Sequence, residues 1–102
     1  MKKYANLVVG SDVEPFEVVA RTAKTLTLRR VKAERDPSWK QERVPGGFAG
    51  HCVNQSEQRW FYSADEEAPM VKAYLRKDGR YWSRYGRHFL SDEPVRFYDY
   101  NF

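Results

Sequence analysis

Between Thr25 and Arg29 the chain reads Thr-Leu-Thr-Leu-Arg. This strict alternation is the period-two pattern of a strand with one buried face, and it places Leu26 and Leu28 inward. Carrying the phase one step further would bury Arg30, whereas Val31 and Ala33 are the residues suited to a core. The pattern therefore predicts a β-bulge near Arg29-Arg30. Upstream, Tyr4 to Val9 reads as a first strand ended by Gly10-Ser11-Asp12. Val13 to Arg21 reads as a second, where Pro15 permits only an edge or a strand start. Thr22-Ala23-Lys24 is a tight connection between the second strand and the alternating one.

Downstream the pattern is less regular. Asp36-Pro37 and Pro45-Gly46-Gly47-Phe48-Ala49-Gly50 bracket a long loop of the kind that carries function or mobility. Cys52-Val53 and Trp60-Phe61-Tyr62 look extended, and the acidic stretch from Ala64 to Pro69 leads into Met70 through Lys77. Asp78-Gly79 is the strongest turn signal, matching a two-residue type I′ hairpin loop. That loop pairs Leu75 with Trp82 and Arg76 with Tyr81. It puts Val71, Ala73, Leu75 and Trp82 on a core face, and Lys72, Tyr74, Arg76, Tyr81 and Tyr85 on the opposite one. Val95 to Tyr100 supplies a closing strand after Pro94. Helical periodicity is confined to short candidates near Ser38 to Arg43 and Ser56 to Phe61. The expected fold is mainly β: a single domain over residues 1–102, forming a small SH3-like or OB-like barrel of about five to seven short antiparallel strands with at most one short helix.

Composition agrees with a β-rich interior, since aromatic residues make up 16% of the 102-residue chain. A single cysteine rules out an internal disulfide and suggests a reducing compartment. The apolar run before Gly10 is too short for a signal peptide, and no stretch is long enough to span a membrane. The expectation is a cytoplasmic protein with no membrane partner. The net charge of +4 is modest, but its distribution is not. Residues 21–43 hold eight Arg or Lys against three acids, a net of +5. Residues 72–88 hold six against Asp78 alone, again +5. If the two segments share a face, they form a positive surface suited to a polyanion.

The segments Thr25-Leu26-Thr27-Leu28-Arg29, Pro45-Gly46-Gly47-Phe48, Arg76-Lys77-Asp78-Gly79-Arg80 and Phe97-Tyr98-Asp99-Tyr100-Asn101-Phe102 resemble those of small uncharacterised proteins encoded on plasmids, phages and other mobile elements. The resemblance carries no activity and no functional residues. It implies a setting in which small proteins act on nucleic acid or block a host machine.

The chemistry-bearing constellations narrow the choice. His51-Cys52 would need both side chains on one face to act as a dyad, and neighbouring strand residues point to opposite faces. Cys52 is instead expected in the core. One Cys and two His fall short of a zinc set, so no metal, cofactor or catalytic residue is expected and the protein reads as non-enzymatic. The glycine-rich segment at 45–50 lacks the lysine and hydroxyl of a phosphate loop. What remains is a hairpin face carrying cations and rings together, as a single-stranded nucleic-acid groove requires. Its expected members are Lys72, Tyr74, Arg76, Lys77, Arg80, Tyr81 and Arg84, joined by Arg29, Arg30 and Lys32 from the other basic segment, with DNA or RNA as partner. The alternative is a protein-protein interaction module or host-machine inhibitor. It would use Trp39 as an exposed anchor flanked by Arg35 and Arg43, with the terminal aromatics as a further partner or homodimer surface.

Overall fold

The structure is a computed structural model that describes residues 2–44 and 51–101, without the side chains of Val44 and His51. It is mainly β. Among the described residues ten strands run in chain order: β1 (Tyr4–Val9), β2 (Asp12–Glu14), β3 (Phe16–Arg21), β4 (Thr25–Arg35), β5 (Arg43–Val44), β6 (His51–Cys52), β7 (Trp60–Ala64), β8 (Met70–Leu75), β9 (Tyr81–Ser83) and β10 (Gly86–Ser91). A single 3-10 turn, Gln55–Glu57, is the only helical element among the described residues. Six strands close on themselves in the antiparallel order β10-β9-β8-β4-β3-β1, with β1 returning to β10. Closure removes free edges from the barrel.

Leu26 and Leu28 face the barrel interior as the alternation requires, and pack with Ala5, Leu7, Phe16 and Ala73. Val18, Val71 and Tyr81 pack against this cluster. β4 is the longest strand and serves two sheets. Its first half pairs β8 from Thr25↔Tyr74 to Arg29↔Met70, and its second half pairs β7 from Val31↔Ala64 to Arg35↔Trp60. The second half leaves the barrel and carries a smaller lobe containing β5, β6, β7 and the 3-10 turn. Trp39 and Cys52 are buried in that lobe. The molecule is accordingly elongated, with principal extents of 50 × 29 × 22 Å.

Four local expectations are corrected. The bulge lies not at Arg29-Arg30 but on the neighbouring strand, where the pairing of β3 with β4 shifts between Val18 and Ala20. Arg30 keeps the inward phase at the end of the barrel. It is tolerated there because its guanidinium lies 4.8 Å from the Phe16 ring centroid and bonds Glu14 at 2.9 Å. Next, the barrel is closed by Gly86–Ser91 rather than by Val95 to Tyr100, whose only ladder contact among the described residues is the bridge Val13↔Phe97. The short helices expected near 38–43 and 56–61 reduce to the one 3-10 turn. Finally, the Asp78-Gly79 loop holds three residues, not two. Gly79 N–H bonds the Arg76 carbonyl at 2.9 Å, and Arg76 N–H bonds the Arg80 carbonyl at 3.0 Å. Gly79 alone in this loop has positive φ, at +78°. A type I turn closed by a left-handed glycine satisfies the same dipeptide with Asp78 left at negative φ, which costs an L-residue less.

Candidate nucleic-acid interface

The extra loop residue moves the register by one and exchanges the faces of the returning strand. Tyr74 pairs with Trp82 and Leu75 with Tyr81. Tyr81 therefore turns inward onto the core and leaves the predicted contact face, while Trp82, expected in the core, takes its place outside. Trp82 in turn pairs with Arg87 on β10. Tyr74, Trp82 and Arg87 form one cross-strand row on the outer surface, and Tyr74 is 54% exposed. Arg76 lies over the Trp82 ring at 5.7 Å, and the indole donates to Asp78 Oδ2 at 3.0 Å. The Asp78 carboxyl is held below the usual carboxylate range, first by the Arg80 backbone N–H and then by the Trp82 indole. The one acid of the hairpin is thereby occupied with orienting the tip.

Lys72 reaches Thr27 Oγ1 at 2.7 Å across the β4–β8 ladder. Arg84, in the two-residue turn joining β9 to β10, lies over the Tyr85 ring at 5.0 Å and donates to its hydroxyl at 2.9 Å. It lines a shallow cleft with Met70, Val71, Lys72 and Tyr74. The ion pairs among the described residues are Lys2–Asp92, Arg29–Glu17 and Arg30–Glu14. None involves Lys72, Arg76, Lys77, Arg80, Arg84 or Arg87.

The other basic segment only partly joins this surface. Arg29 shares the outer face of β4 with Thr25 and Thr27, but Glu17 neutralises it at 2.6 Å. Arg30 is turned to the opposite side and paired with Glu14. Lys32 lines a cleft with Arg30 and Tyr85 that also holds Asp65 and Glu67. Alternation along β4 separates neighbours onto opposite faces, so a run of basic residues in the sequence is not one patch in space.

The second predicted contact site is also rearranged. Trp39 is not exposed: it is 8% accessible, packed against Tyr100 at 5.5 Å and lying under the Arg35 guanidinium at 5.9 Å. Arg35 and Arg43 do come together, in an open cleft of about 510 Å³ shared with Gln41, Trp60, Tyr98 and Tyr100. Sequence reasoning missed Trp60 and treated the terminal tyrosines separately, because only the fold lays residues 96–101 along β7.

The His51 side chain of the His51-Cys52 pair lies outside the described structure. Cys52 is 1% exposed, and its thiol bonds Asn54 Oδ1 at 3.4 Å. His88 lies in the barrel. Its Nδ1 bonds the Ala5 carbonyl at 2.9 Å and its Nε2 meets Ser83 Oγ at 2.7 Å. With Nδ1 donating to the carbonyl, Nε2 is the acceptor for the serine hydroxyl. Burial holds the His88 pKa below its ordinary value, and the nearby Arg30 charge lowers it further. No sequence signal marked this pair. The glycine-rich segment at 45–50 lies outside the described residues. Among the described residues no group of His, Cys, Asp and Glu is placed to hold a metal, and no helix is long and apolar enough to cross a membrane.

Fold and surface together define a small closed antiparallel β-barrel with a cationic, ring-bearing hairpin and an aromatic cleft in its second lobe. Compared with protein-family models, with curated proteins and with solved structures, the chain matches none.

Proposed function

We propose that the protein binds nucleic acid through the outer face of the β8–β9–β10 meander. Lys72, Arg76, Lys77, Arg80, Arg84 and Arg87 neutralise phosphates, and Tyr74 and Trp82 provide stacking surfaces for bases. The observation that carries this reading is the outward-facing row Tyr74–Trp82–Arg87, in which Tyr74 is exposed and Trp82 and Arg87 are half-buried, flanked by cations that form no ion pair among the described residues. Such guanidinium and ammonium groups retain full charge for phosphate. Rings on a flat sheet accept any base, so sequence preference is weak and single strands are favoured. No step of this binding calls for catalysis. A protein partner anchored on Trp39 fits the geometry less well, because burial removes the exposed indole it needs.

The test is a salt titration of binding to single-stranded DNA and RNA. Replacing Arg76, Arg84 and Arg87 by Gln should weaken association and flatten its salt dependence, by about 0.7 in the log-log slope for each phosphate no longer neutralised. Wild-type protein that shows no salt-sensitive association at low ionic strength would overturn the proposal.

A further inference from the structure

The cleft of the second lobe has a composition that the hairpin reading does not use. Its described walls are Arg35, Gln41, Arg43, Trp60, Tyr98 and Tyr100, and no carboxylate is among them. The rings are held in place rather than loosely packed. Trp60 donates its indole N–H to Gln58 at 2.8 Å and stacks against the Arg96 guanidinium at 5.3 Å. Tyr98 meets Arg96 at 5.6 Å and Tyr100 edge-on at 4.8 Å, yet remains 43% exposed. Arg35 spends one N–H on the Tyr100 hydroxyl at 3.2 Å, which leaves the rest of its fork available. Arg43 donates its Nε to Gln41 Oε1 at 3.0 Å, which orients both side chains at the rim. Behind the cleft, under Arg35 and Tyr100, the buried Trp39 Nε1 has no hydrogen-bond partner among the described residues. A donor in that condition is a standing demand for an acceptor.

Positioned guanidinium groups select an oxyanion, and phosphate matches their fork best. The exposed Tyr98 ring, with the half-buried Trp60 ring beside it, selects a flat ring. An acidic peptide would satisfy the charge but bring no plane for Tyr98. A nucleotide satisfies both, and the Gln41 amide can both donate to and accept from a base edge. We infer that this cleft is a nucleotide-binding site, with the base against Tyr98 and Trp60 and the phosphate toward Arg35. The nucleotide is either free or one residue of a strand. The inference does not depend on the hairpin binding nucleic acid: by the rise of β4, Arg35 lies about 33 Å from Thr25, which pairs with Tyr74.

The experiment titrates the protein with adenosine 5′-monophosphate, adenosine and inorganic phosphate at low salt, following the tryptophan indole N–H signals by NMR. The nucleotide should bind saturably, more tightly than either half alone, and shift Trp39 and Trp60 but not Trp82. Tyr98→Ala should weaken it about tenfold or more, and Arg35→Gln should weaken it and reduce its salt dependence. Tyr98→Phe should retain binding, which shows that the ring, not the local fold, is responsible. Trp82→Ala should leave nucleotide binding unchanged even though it weakens single-strand binding at the hairpin. In an Arg76→Gln/Arg84→Gln background, an oligoadenylate that binds more tightly than the mononucleotide, and no longer binds with Tyr98→Ala, identifies a strand residue as the source. Equal affinity identifies the free nucleotide. Binding of phosphate as tight as the nucleotide, or nucleotide binding indifferent to Tyr98→Ala, overturns the inference.

Discussion

Two residues show how much rests on single groups. Gly79 occupies φ +78° with open space where a Cβ would sit, so its requirement is conformational and not steric. A β-branched side chain there costs about 1–3 kcal/mol of strain, and Gly79→Val should lower stability by that amount in denaturant unfolding. Gly79→Asn should cost less, because Asn tolerates the left-handed region. His88 makes a different demand. It is 2% exposed and kept neutral by burial, while the unfolded chain takes a proton near the ordinary value of 6.5. The unfolded state therefore binds more protons below that pH, and stability, full above about 6.5, falls as the medium is acidified. Unfolding midpoints at pH 7.5 and 5.5 should differ in that direction. Exchanging His88 for Gln should remove most of the difference over this window while costing stability at pH 7.5, where the serine and Ala5 bonds are disturbed.

At the level of the element, the β8–β9 hairpin gives opposite roles to adjacent aromatic residues. Tyr81 packs against the core and Trp82 faces out. The two alanine variants should therefore separate cleanly. Tyr81→Ala should lower stability by about 2–4 kcal/mol as its ring leaves the core, with affinity for single strands unchanged in the folded fraction. Trp82→Ala should leave stability within about 1 kcal/mol and weaken single-strand binding by about 1–3 kcal/mol. Its salt slope should stay the same, since stacking releases few counterions. Reversal of these outcomes in parallel unfolding and binding measurements would restore the two-residue loop and dissolve the Tyr74–Trp82–Arg87 row.

At the scale of the whole molecule, two lobes share one strand and one strap. β4 runs through both, and residues 96–101 join β2, which pairs with β1 of the barrel, at Val13↔Phe97 to the second lobe through side-chain amides. Gln58 is the centre of that strap. Its Nε2 donates to the Gln55 and Tyr98 carbonyls at 2.8 and 2.9 Å, and its Oε1 accepts from the Trp60 indole and the Tyr98 N–H at 2.8 and 2.9 Å. Asn101 likewise pairs with both backbone groups of Cys52, at 2.8 and 2.9 Å. Gln58→Ala leaves several of these groups unpaired, at roughly 1 kcal/mol or more each. Hydrogen exchange should then accelerate at the Tyr98 amide while the amides of Leu26 and Leu28 in the barrel keep their protection. Uniform acceleration across both lobes would show that the strap and barrel open as one unit.

What the sequence determined by itself was whatever local chemistry decides. The leucine alternation set the inward face of β4, Gly10 and Gly79 marked turns, and short strands without amphipathic helices led to a small barrel. The lone cysteine was read correctly as buried. Only the tertiary structure decided the rest. Asp-Gly is compatible with a two- or a three-residue loop, and the choice that turned Trp82 outward and Tyr81 inward depends on how β9 must meet β10 and the core. The strand Gly86–Ser91 has no clear sequence signal because its inward histidine is polar and is satisfied by Ser83 and Ala5, on the strands β9 and β1 that flank it once the barrel closes. Arg29, Arg30 and Lys32 are one basic run in the chain but are divided in space, because a strand sends neighbours to opposite faces and Glu17 and Glu14 neutralise two of them. Trp39 sits in a polar stretch, and nothing near it in sequence could announce that Tyr100 would fold back to cover it. Contact surfaces join residues far apart in the chain, so their membership is settled by register and closure rather than by local pattern.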